Sequence, residues 1–524
     1  MQLINNFLNQ NKFLLAFVII VKIFFLLNFY LVDDAYIVFR SAYNFGNFGE
    51  YSYNLGENFS GVTSWLYGLW NGLISIIFKS NFITIITIIN SFLSLVSSLL
   101  LYSIFLHLNS SKNNSKNLLF PLLFFINPAI CTIGTIGLET SFLVFFMTLF
   151  FYSFYVKKDK ILIFVSGVLS ILTRIELFSL FLIFIFSSIF KKRENLLLII
   201  SILIFGVILN LVGNLIINGS YFPETAISKL STLTPDNTFI FSEIIERFSK
   251  IFFLDQSYFI GFKTKFFPIF LNLLVSLLSI SILLKYIFLN IYYISIKKGL
   301  TDLGHINFTL SLAVLAIPLA YIISGQIWEW YFLPFSFFFI ILFSNYLINL
   351  KQNIIRDFII SIMIIAISSI NFFVKYNISF QEHNFRSNVG KLINLNAENK
   401  STLFLEPAGY IPYFAKIKTI DTVGLSSKKI REYRTNDNVD WWFDFVKNEK
   451  PDFVVDRKNI LSGSTKDGYM IFTKEQNNWI KSNYKLLKKF DYNEYLDNYK
   501  FRHPIEKFII KLGSHSNYYV FKKI

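Results

Sequence analysis

The stretch FLLAFVIIVKIFFLLNFYLVDD, residues 13–34, decides the class of this chain. Its first twenty residues, 13–32, are predominantly apolar and long enough to cross a bilayer as a helix. Two adjacent aspartates, Asp33 and Asp34, follow at once and open the polar, aromatic and glycine-bearing stretch DDAYIVFRSAYNFGNFGEYSYNLGENFSGVTSW, residues 33–65. The arrangement predicts a membrane span that leads directly into the wall of a polar site.

The composition of the whole chain supports a polytopic membrane protein. Of the 524 residues, 54% are hydrophobic and only 16% are charged, a share of apolar surface that a soluble protein cannot bury. The formal net charge of +16 is read as basic cytoplasmic loops rather than as a nucleic-acid surface. The single cysteine, Cys131, excludes an intrachain disulfide and a cysteine metal cluster.

Apolar runs of roughly 20 residues each predict about eleven membrane spans. The clear runs are 13–32, 82–106, 138–156, 195–217, 267–290, 306–325, 331–349 and 354–374. Two shorter runs cover 118–131 and 161–190. The run 161–190 lies between two basic loops, and its polar break at Thr173–Glu176 predicts a hairpin of two short spans.

Basic loops set the topology, because lysine and arginine collect on the cytoplasmic side of a membrane. The residues that mark such loops are Lys112, Lys116, Lys157, Lys158, Lys160, Lys191, Lys192, Arg193, Lys297, Lys298, Lys351 and Arg356. They predict a protein of the cytoplasmic membrane with its N-terminus inside and its C-terminus outside. The same assignment of the loops to the two sides predicts that residues 63–78 form an interfacial helix on the outer leaflet. It also brings the Asp33 loop and the Arg174 turn to the outer side.

The composition changes near residue 375, where apolar runs shorten and charge rises. The chain is therefore predicted to comprise a transmembrane catalytic domain, 1–374, and an extracytoplasmic soluble α/β domain, 375–524. Short β-like stretches alternate there with polar segments that could form helices. The predicted strands are Thr402–Leu405, Phe453–Asp456, Tyr469–Thr473 and Tyr518–Phe521.

Carboxylates, arginines, lysines and aromatic residues are the remaining candidates for chemistry. The sequence has no nucleotide-phosphate loop, zinc motif or dinucleotide fingerprint, and its five histidines are scattered. Asp33 and Asp34 could be a helix cap or an interfacial anchor. Because neighbouring residues point in different directions on a helix, one carboxylate would face a cavity while the other holds the loop or a cation.

Residues 33–65 closely resemble the first outer loop of GT-C membrane glycosyltransferases. The resemblance is closest to the branch of the terminal arabinofuranosyltransferases of mycobacterial cell walls and their mannosyltransferase-like relatives. The matching residues are Asp33–Ile37, Arg40, Asn44, Gly46, Gly49, Asn54–Glu57, Gly61–Thr63 and Trp65.

Further blocks of the same family follow in order as far as residue 425. They are Gly137–Thr140, Leu172–Arg174 with Glu176, Tyr221–Thr225 with Lys229, Trp328–Pro334, Gly409–Phe414 and Ile420–Leu425. Several positions depart from the family pattern. Ile175 stands for proline, Leu177 for glycine, Glu224 for asparagine and Tyr331 for an arginine.

The resemblance implies an inverting transfer of a sugar from a polyprenyl-phosphate donor to an extracytoplasmic glycan or glycolipid acceptor. It implies that Asp33 is the general base and that Asp34 orients it, holds the loop or helps to bind a divalent cation. No metal ligands are assigned. The predicted ligands of the donor phosphate are Arg40, Arg174 and Lys229. The predicted substrate-binding residues are Tyr36, Asn54, Glu57, Trp65, Glu139, Tyr221, Glu224, Trp328 and Trp330.

Two alternatives stay open at the level of sequence. A protein O-glycosyltransferase of the same fold would differ only in its acceptor. A transporter or flippase for lipid-linked sugars would also place polar residues inside a helical bundle, but such proteins often have paired repeats and broken helices at the membrane midplane. Neither feature is evident in this sequence.

Overall fold

The computed structural model describes most of the chain. The described residues are 12–28, 31–57, 59–109, 131, 133–191, 195–231, 269–296, 299–323, 329–350, single positions between 355 and 362, and 376–524 without 426, 435–437, 466–469, 502 and 512–515. The predicted boundary between residues 374 and 375 lies outside them.

The described segments before residue 350 are mainly helical. Its helices are α1 (Lys12–Asn28), α2 (Asp33–Phe48), α3 (Trp65–Phe78), α4 (Phe82–Leu108), α5 (Thr140–Tyr152), α6 (Lys160–Thr173), α7 (Phe178–Ile189), α8 (Leu196–Asn218), α9 (Glu224–Ser231), α10 (Ile269–Ser295), α11 (Asp302–Ile323) and α12 (Glu329–Ile348). Short 3-10 turns lie at Lys79–Asn81 and Ile175–Leu177, and a π-helical turn at Ser153–Lys157 follows α5.

Among the described residues, six helical stretches are long and apolar enough to cross a membrane. They are Trp65–Leu108, Thr140–Lys157, Leu196–Asn218, Ser276–Ser295, Asp302–Tyr321 and Tyr331–Ile348. The predicted count of about eleven spans is therefore not reproduced by the described residues. Run 118–130 and most of 354–374 lie outside the description, and α1, α6 and α7 are shorter helices.

Two predictions about local structure can be compared with the helices. Residues 161–190 form two helices, α6 and α7, and the predicted break coincides with the end of α6 at Thr173 and the turn Ile175–Leu177. Residues 65–78 form a helix, α3, which a turn at Lys79 (φ +43°) separates from α4. Whether α3 lies on the membrane or crosses it stays a prediction.

Helix α2 begins at the aspartate pair. Val32 before it has an extended backbone, and the two carboxylates stand in the first turn, where the positive end of the helix dipole favours negative charge. Ala35, Phe39 and Ala42 recur at helical spacing and are fully buried, so they form the apolar face of α2. This packing leaves the two aspartates at the end of the helix that meets the C-terminal domain.

The C-terminal domain, residues 376–524, is built on one five-stranded sheet of order β2-β1-β3-β5-β4. The strands are β1 (Thr402–Leu405), β2 (Lys418–Asp421), β3 (Phe453–Asp456), β4 (Tyr484–Phe490) and β5 (Tyr518–Lys523). The helices are α13 (Ser387–Asn396), α14 (Tyr410–Ala415), α15 (Lys429–Tyr433), α16 (Trp441–Glu449), α17 (Lys474–Asn483), α18 (Tyr492–Asn498) and α19 (Pro504–Lys511), and a π-helical turn covers Gln381–Arg386.

Strands β1, β2 and β3 are parallel, whereas β5 is antiparallel to β3 and β4. Along β1, Leu403 and Leu405 enter one apolar cluster and Phe404 enters another, so both faces of the sheet are covered. A strand that is buried on both faces consists of consecutive apolar residues. This explains why β1 and β3 could be predicted from the sequence.

Three of the four predicted strands are confirmed: Thr402–Leu405, Phe453–Asp456 and, within β5, Tyr518–Phe521. The predicted strand Tyr469–Thr473 is reduced to a single bridge between Ile471 and Ser464, with Tyr469 outside the described residues. Strands β2 and β4 were not predicted.

Candidate active site at the junction of the two parts

Asp33 fastens α2 to the C-terminal domain. Its carboxylate is buried, with 6% of the residue exposed. Oδ2 accepts a hydrogen bond from the backbone N–H of Gly409 (2.9 Å), and Oδ1 accepts one from Tyr410 (3.0 Å) and lies 3.0 Å from Nη1 of Arg386. The backbone N–H of Asp33 donates to Oε2 of Glu382 (2.9 Å). Both carboxylate oxygens are thus occupied by the C-terminal domain, which argues against the predicted role of Asp33 as the base.

The contact requires glycine at position 409. A Cβ atom built on Gly409 would overlap the backbone and the carboxylate of Asp33. The Gly409–Phe414 block, seen in the sequence only as a weak family match, is therefore the surface on which Asp33 docks.

The pKa values of two ionisable groups around Asp33 are strongly shifted. Burial raises the pKa of Glu382 to about 7, although Arg386 lowers it in part and Asp33 raises it further. Burial lowers the pKa of Arg386, but Tyr518, Glu382 and Asp33 together raise it well above its ordinary value. Arg386 therefore stays charged and lies between two carboxylates, at 3.0 Å from Asp33 and 3.2 Å from Glu382.

Asp34, the neighbouring residue, lies on a cavity. The cavity has an empty volume of about 430 Å³, part of it open to solvent, and Asp34 is half-buried in its wall. Seven separate segments of the chain form the lining: Asp34, Ile37, Val38, Gly61, Thr63, Leu138, Glu139, Arg174, Thr225, Tyr331 and Leu425. The cavity thus gathers five of the sequence blocks that precede residue 375 and one loop of the C-terminal domain.

A buried ion pair forms one wall of this cavity. Nε of Arg174 lies 3.0 Å from Oε1 of Glu139, and the two side chains are only 4% and 8% exposed. The guanidinium also lies over the ring of Tyr331, 4.4 Å from its centre. A guanidinium is always protonated and presents five N–H donors in a planar fork. The cavity therefore holds a fixed positive charge together with the carboxylate of Asp34.

Arg40, predicted to bind the donor phosphate, lies elsewhere. It is buried and donates to the backbone oxygens of Tyr53 (2.7 Å), Pro412 (2.8 Å) and Ile417 (2.7 Å), to Oδ1 of Asn54 (3.1 Å) and to Oγ1 of Thr419 (3.5 Å). All five of its N–H donors have protein acceptors. A phosphate could bind only by displacing them, so the contacts argue against the predicted role. Arg40 instead joins α2 and the loop that follows it to the C-terminal domain.

Three predicted substrate-binding residues share this structural role. Asn54 exchanges hydrogen bonds with the backbone N–H (2.9 Å) and carbonyl (2.8 Å) of Thr419. Glu57 pairs with Lys418 at 2.6 Å. Tyr36 is buried against Tyr410, with the ring centres 3.9 Å apart, and burial raises its pKa to about 12. These residues hold the two parts of the protein together rather than line the cavity.

The other predicted site residues differ in whether they line the cavity. Glu139 lines the cavity, whereas the ring of Trp65 packs against Gly213 of α8 and Tyr221 is 60% exposed. Helix α9 reaches the cavity through Thr225. The side chains of four predicted residues lie outside the description: Glu224, Lys229, Trp328 and Trp330.

Sequence reasoning missed several residues that shape the cavity. Oγ1 of Thr63 lies 2.9 Å from Oγ1 of Thr225, which joins the first loop to α9. The loop after β2 is held by Asp421, whose Oδ2 accepts from the N–H groups of Val423 (3.1 Å) and Leu425 (3.0 Å). These residues lie in three of the family-like blocks, so a sequence signal existed, but it did not assign them to the cavity. No sequence signal pointed to Glu382 or Arg386.

The described residues contain no group of three or more histidine, cysteine, aspartate or glutamate side chains that could hold a metal ion. Asp34 and Glu139 both line the cavity, but Glu139 is already paired with Arg174. This donor set suits a divalent cation poorly. The predicted cation stays a prediction.

Comparisons with known proteins give a domain match and a fold. Residues 374–514 match the family model of a domain of unknown function, DUF8728. No curated protein matches the sequence. Among solved structures, the Archaeoglobus fulgidus oligosaccharyltransferase, in complex with Zn and sulfate, aligns at 9% identity with a TM-score of 0.52, covering 97% of this chain and 88% of that chain. ArnT from Cupriavidus metallidurans, bound to undecaprenyl phosphate, aligns at 11% identity with a TM-score of 0.49, covering 92% and 96% of the two chains.

The similarity to the oligosaccharyltransferase shows the fold alone. The chain has a GT-C-like fold, with a helical membrane part followed by a small C-terminal sheet domain. The resemblance in the first outer loop had implied this fold. The narrower arabinofuranosyltransferase or mannosyltransferase-like branch is not singled out and stays a prediction.

Proposed function

We propose that this protein is an integral membrane glycosyltransferase that moves a sugar from a polyprenyl-phosphate donor to an extracytoplasmic glycan or glycolipid acceptor. The observation that carries the proposal is the cavity that holds Asp34 together with the buried Arg174–Glu139 pair. A carboxylate can take a proton from a hydroxyl, and a fixed guanidinium can stabilise a departing phosphate. Both are what a transfer from a sugar phosphate requires.

Asp34 rather than Asp33 is the proposed base. In the reaction, the acceptor oxygen attacks the anomeric carbon while the carbon–oxygen bond to the phosphate breaks, so the configuration inverts. The hydroxyl proton passes to Asp34, and the polyprenyl phosphate leaves with the electron pair. A positioned carboxylate of this kind typically contributes ~10²–10⁴ in rate. Asp33 supports it from outside the cavity by holding the start of α2 against Gly409 and Tyr410.

Arg174 is the proposed ligand of the leaving phosphate. Oε1 of Glu139 lies 3.0 Å from its Nε, and Tyr331 supports the guanidinium from its face. The Nη groups would bind the phosphate oxygens. Lys229 on α9 is the second cation of the proposal. Arg40 is no longer part of it, because its donors are used within the protein.

The proposed location is the cytoplasmic membrane, with the cavity and the C-terminal domain on the extracytoplasmic side. The support is the distribution of basic loops, together with the joint construction of the cavity from the first loop and the loop at Leu425. A lipid-linked donor is consistent with a membrane enzyme whose sequence has no nucleotide-binding motif.

The test is donor consumption by the purified full-length protein in lipid nanodiscs. Each of a panel of polyprenyl-phosphate sugars is supplied with candidate acceptors, and release of polyprenyl phosphate is measured. The wild type should consume one donor, and Asp34→Asn should lower its rate by ~10²–10⁴ without loss of donor binding. Transport of the lipid-linked sugar with its phosphate bond intact would favour the transporter alternative, and full activity of Asp34→Asn would remove the base assignment.

A further inference from the structure

A second cavity lies in the C-terminal domain, at the carboxyl ends of β1 and β3. Its empty volume is about 330 Å³, part of it open to solvent, and its lining includes Glu406 after β1, Thr422 after β2 and Asp456 and Arg457 at the end of β3. The chain passes from β1 to β2 on one side and then crosses to β3 on the other side of β1. This is a topological switch point, where open α/β sheets bind ligands.

The lining suits a polyhydroxylated, uncharged ligand. Phe404 and Trp442 are buried and give the cavity an apolar wall, whereas Glu406, Asp456 and Arg457 are half-buried at its polar side. Carboxylates accept hydrogen bonds from hydroxyl groups and a guanidinium donates them. Two carboxylates against one guanidinium disfavour a phosphate, so the chemistry selects a saccharide over a nucleotide.

The second cavity opens at the same edge of the sheet as the contact with α2. Thr422 lines this cavity and Leu425 lines the catalytic one, so at most about 11 Å of extended chain separates them. In the same way, Glu406 lies three residues before Gly409, which binds Asp33. One oligosaccharide could therefore contact both cavities.

We propose that this second cavity binds the acceptor glycan, holding sugars that precede the one whose hydroxyl meets Asp34. The inference rests on the proposed glycosyl transfer and adds a saccharide subsite to it. Thr422 supports the geometry, because its N–H donates to the carbonyl of Leu405 (3.1 Å) and its hydroxyl to Oε2 of Glu406 (3.3 Å). These bonds orient the Glu406 carboxylate at the rim.

The experiment uses full-length protein in nanodiscs on an array of synthetic oligosaccharides, from monosaccharides to hexasaccharides. The wild type and Asp34→Asn should bind the same longer saccharides. Asp456→Asn and Arg457→Ala should weaken that binding by about 10- to 100-fold, the effect of removing a hydrogen bond to a charged group. Asp497→Asn, which removes an exposed carboxylate on α18, is the matched control and should bind like the wild type.

The outcomes separate the subsite from the transfer activity. If Asp456→Asn and Arg457→Ala bind like the wild type, or if the wild type binds no saccharide, the subsite is wrong. Donor consumption measured in parallel with the wild type and Asp34→Asn decides the proposed function by itself. Thermal unfolding of each variant checks that a variant that no longer binds saccharide is still folded. If Arg457→Ala does not fold, Glu406→Gln provides a second test at the rim of the cavity.

Discussion

Exchanging Asp33 and Asp34 separately for asparagine distinguishes the structural carboxylate from the proposed base. The two changes are chemically identical and adjacent in sequence. In Asp33→Asn the side chain keeps one acceptor oxygen in place of two, while Gly409, Tyr410 and Arg386 all present donors to it. The new NH₂ group must therefore face at least one donor, and Arg386 loses a charged partner.

The magnitude follows from the contacts. Breaking a buried ion pair by removing one partner costs about 3–5 kcal/mol. Because Arg386 keeps Glu382 at 3.2 Å, the lower end, about 3 kcal/mol, is expected. At 1.4 kcal/mol per factor of ten, opening of this contact should become roughly 10²-fold more frequent. Asp34→Asn leaves the contact intact, so its opening should not change, while its transfer rate should fall by ~10²–10⁴.

Hydrogen-exchange mass spectrometry of the peptide around Gly409 and Tyr410 measures the opening, and donor consumption measures the rate. Asp33→Asn should accelerate exchange there, and any loss of activity should follow that loss of docking. The reasoning is refuted if Asp33→Asn leaves exchange unchanged but abolishes transfer, or if Asp34→Asn transfers sugar at the wild-type rate. The first result would return the base assignment to Asp33, and the second would remove it from Asp34.

Three further changes test other parts of the site. Arg40→Lys keeps the charge but removes the planar fork of donors, so docking of the C-terminal domain should weaken by about 1.5–3 kcal/mol. Faster proteolysis of the full-length protein would show this. A higher KM for the donor at unchanged stability would instead indicate phosphate binding. Arg174→Lys should lower kcat/KM for the donor by about 10- to 100-fold, because one point charge replaces paired hydrogen-bond donors. If the variant keeps the wild-type kcat/KM, Arg174 does not bind the phosphate. The folded state raises the pKa of Glu382 to about 7, so the stabilisation from its bound proton is complete below about pH 4.5 and is lost as the pH rises through about 7. Thermal unfolding between pH 5 and 8 should show this decline, amounting to about 3 kcal/mol at most, and Glu382→Gln should remove it; a variant with the wild-type pH dependence would show that another group titrates.

Much of the architecture could be predicted from local patterns of apolar and polar residues in the sequence. The apolar runs predicted a helical membrane protein, and the polar break at Arg174 predicted the end of α6. Strands β1 and β3 were predictable because both of their faces are buried and their apolar residues are consecutive. Strand β4 was not, since it has the charged pattern YKLLKKF and is stabilised by its pairing with β5.

The sequence by itself determined that an aspartate pair begins a helix beside a membrane segment, and that the two carboxylates must diverge. Successive residues on a helix are separated by about 100° around its axis, so one role for each aspartate was expected. Which aspartate contacts the C-terminal domain depended on Gly409, Tyr410 and Arg386, more than 350 residues away. Tertiary structure alone brought these donors to Asp33, and by occupying its carboxylate it left Asp34 on the cavity with Arg174.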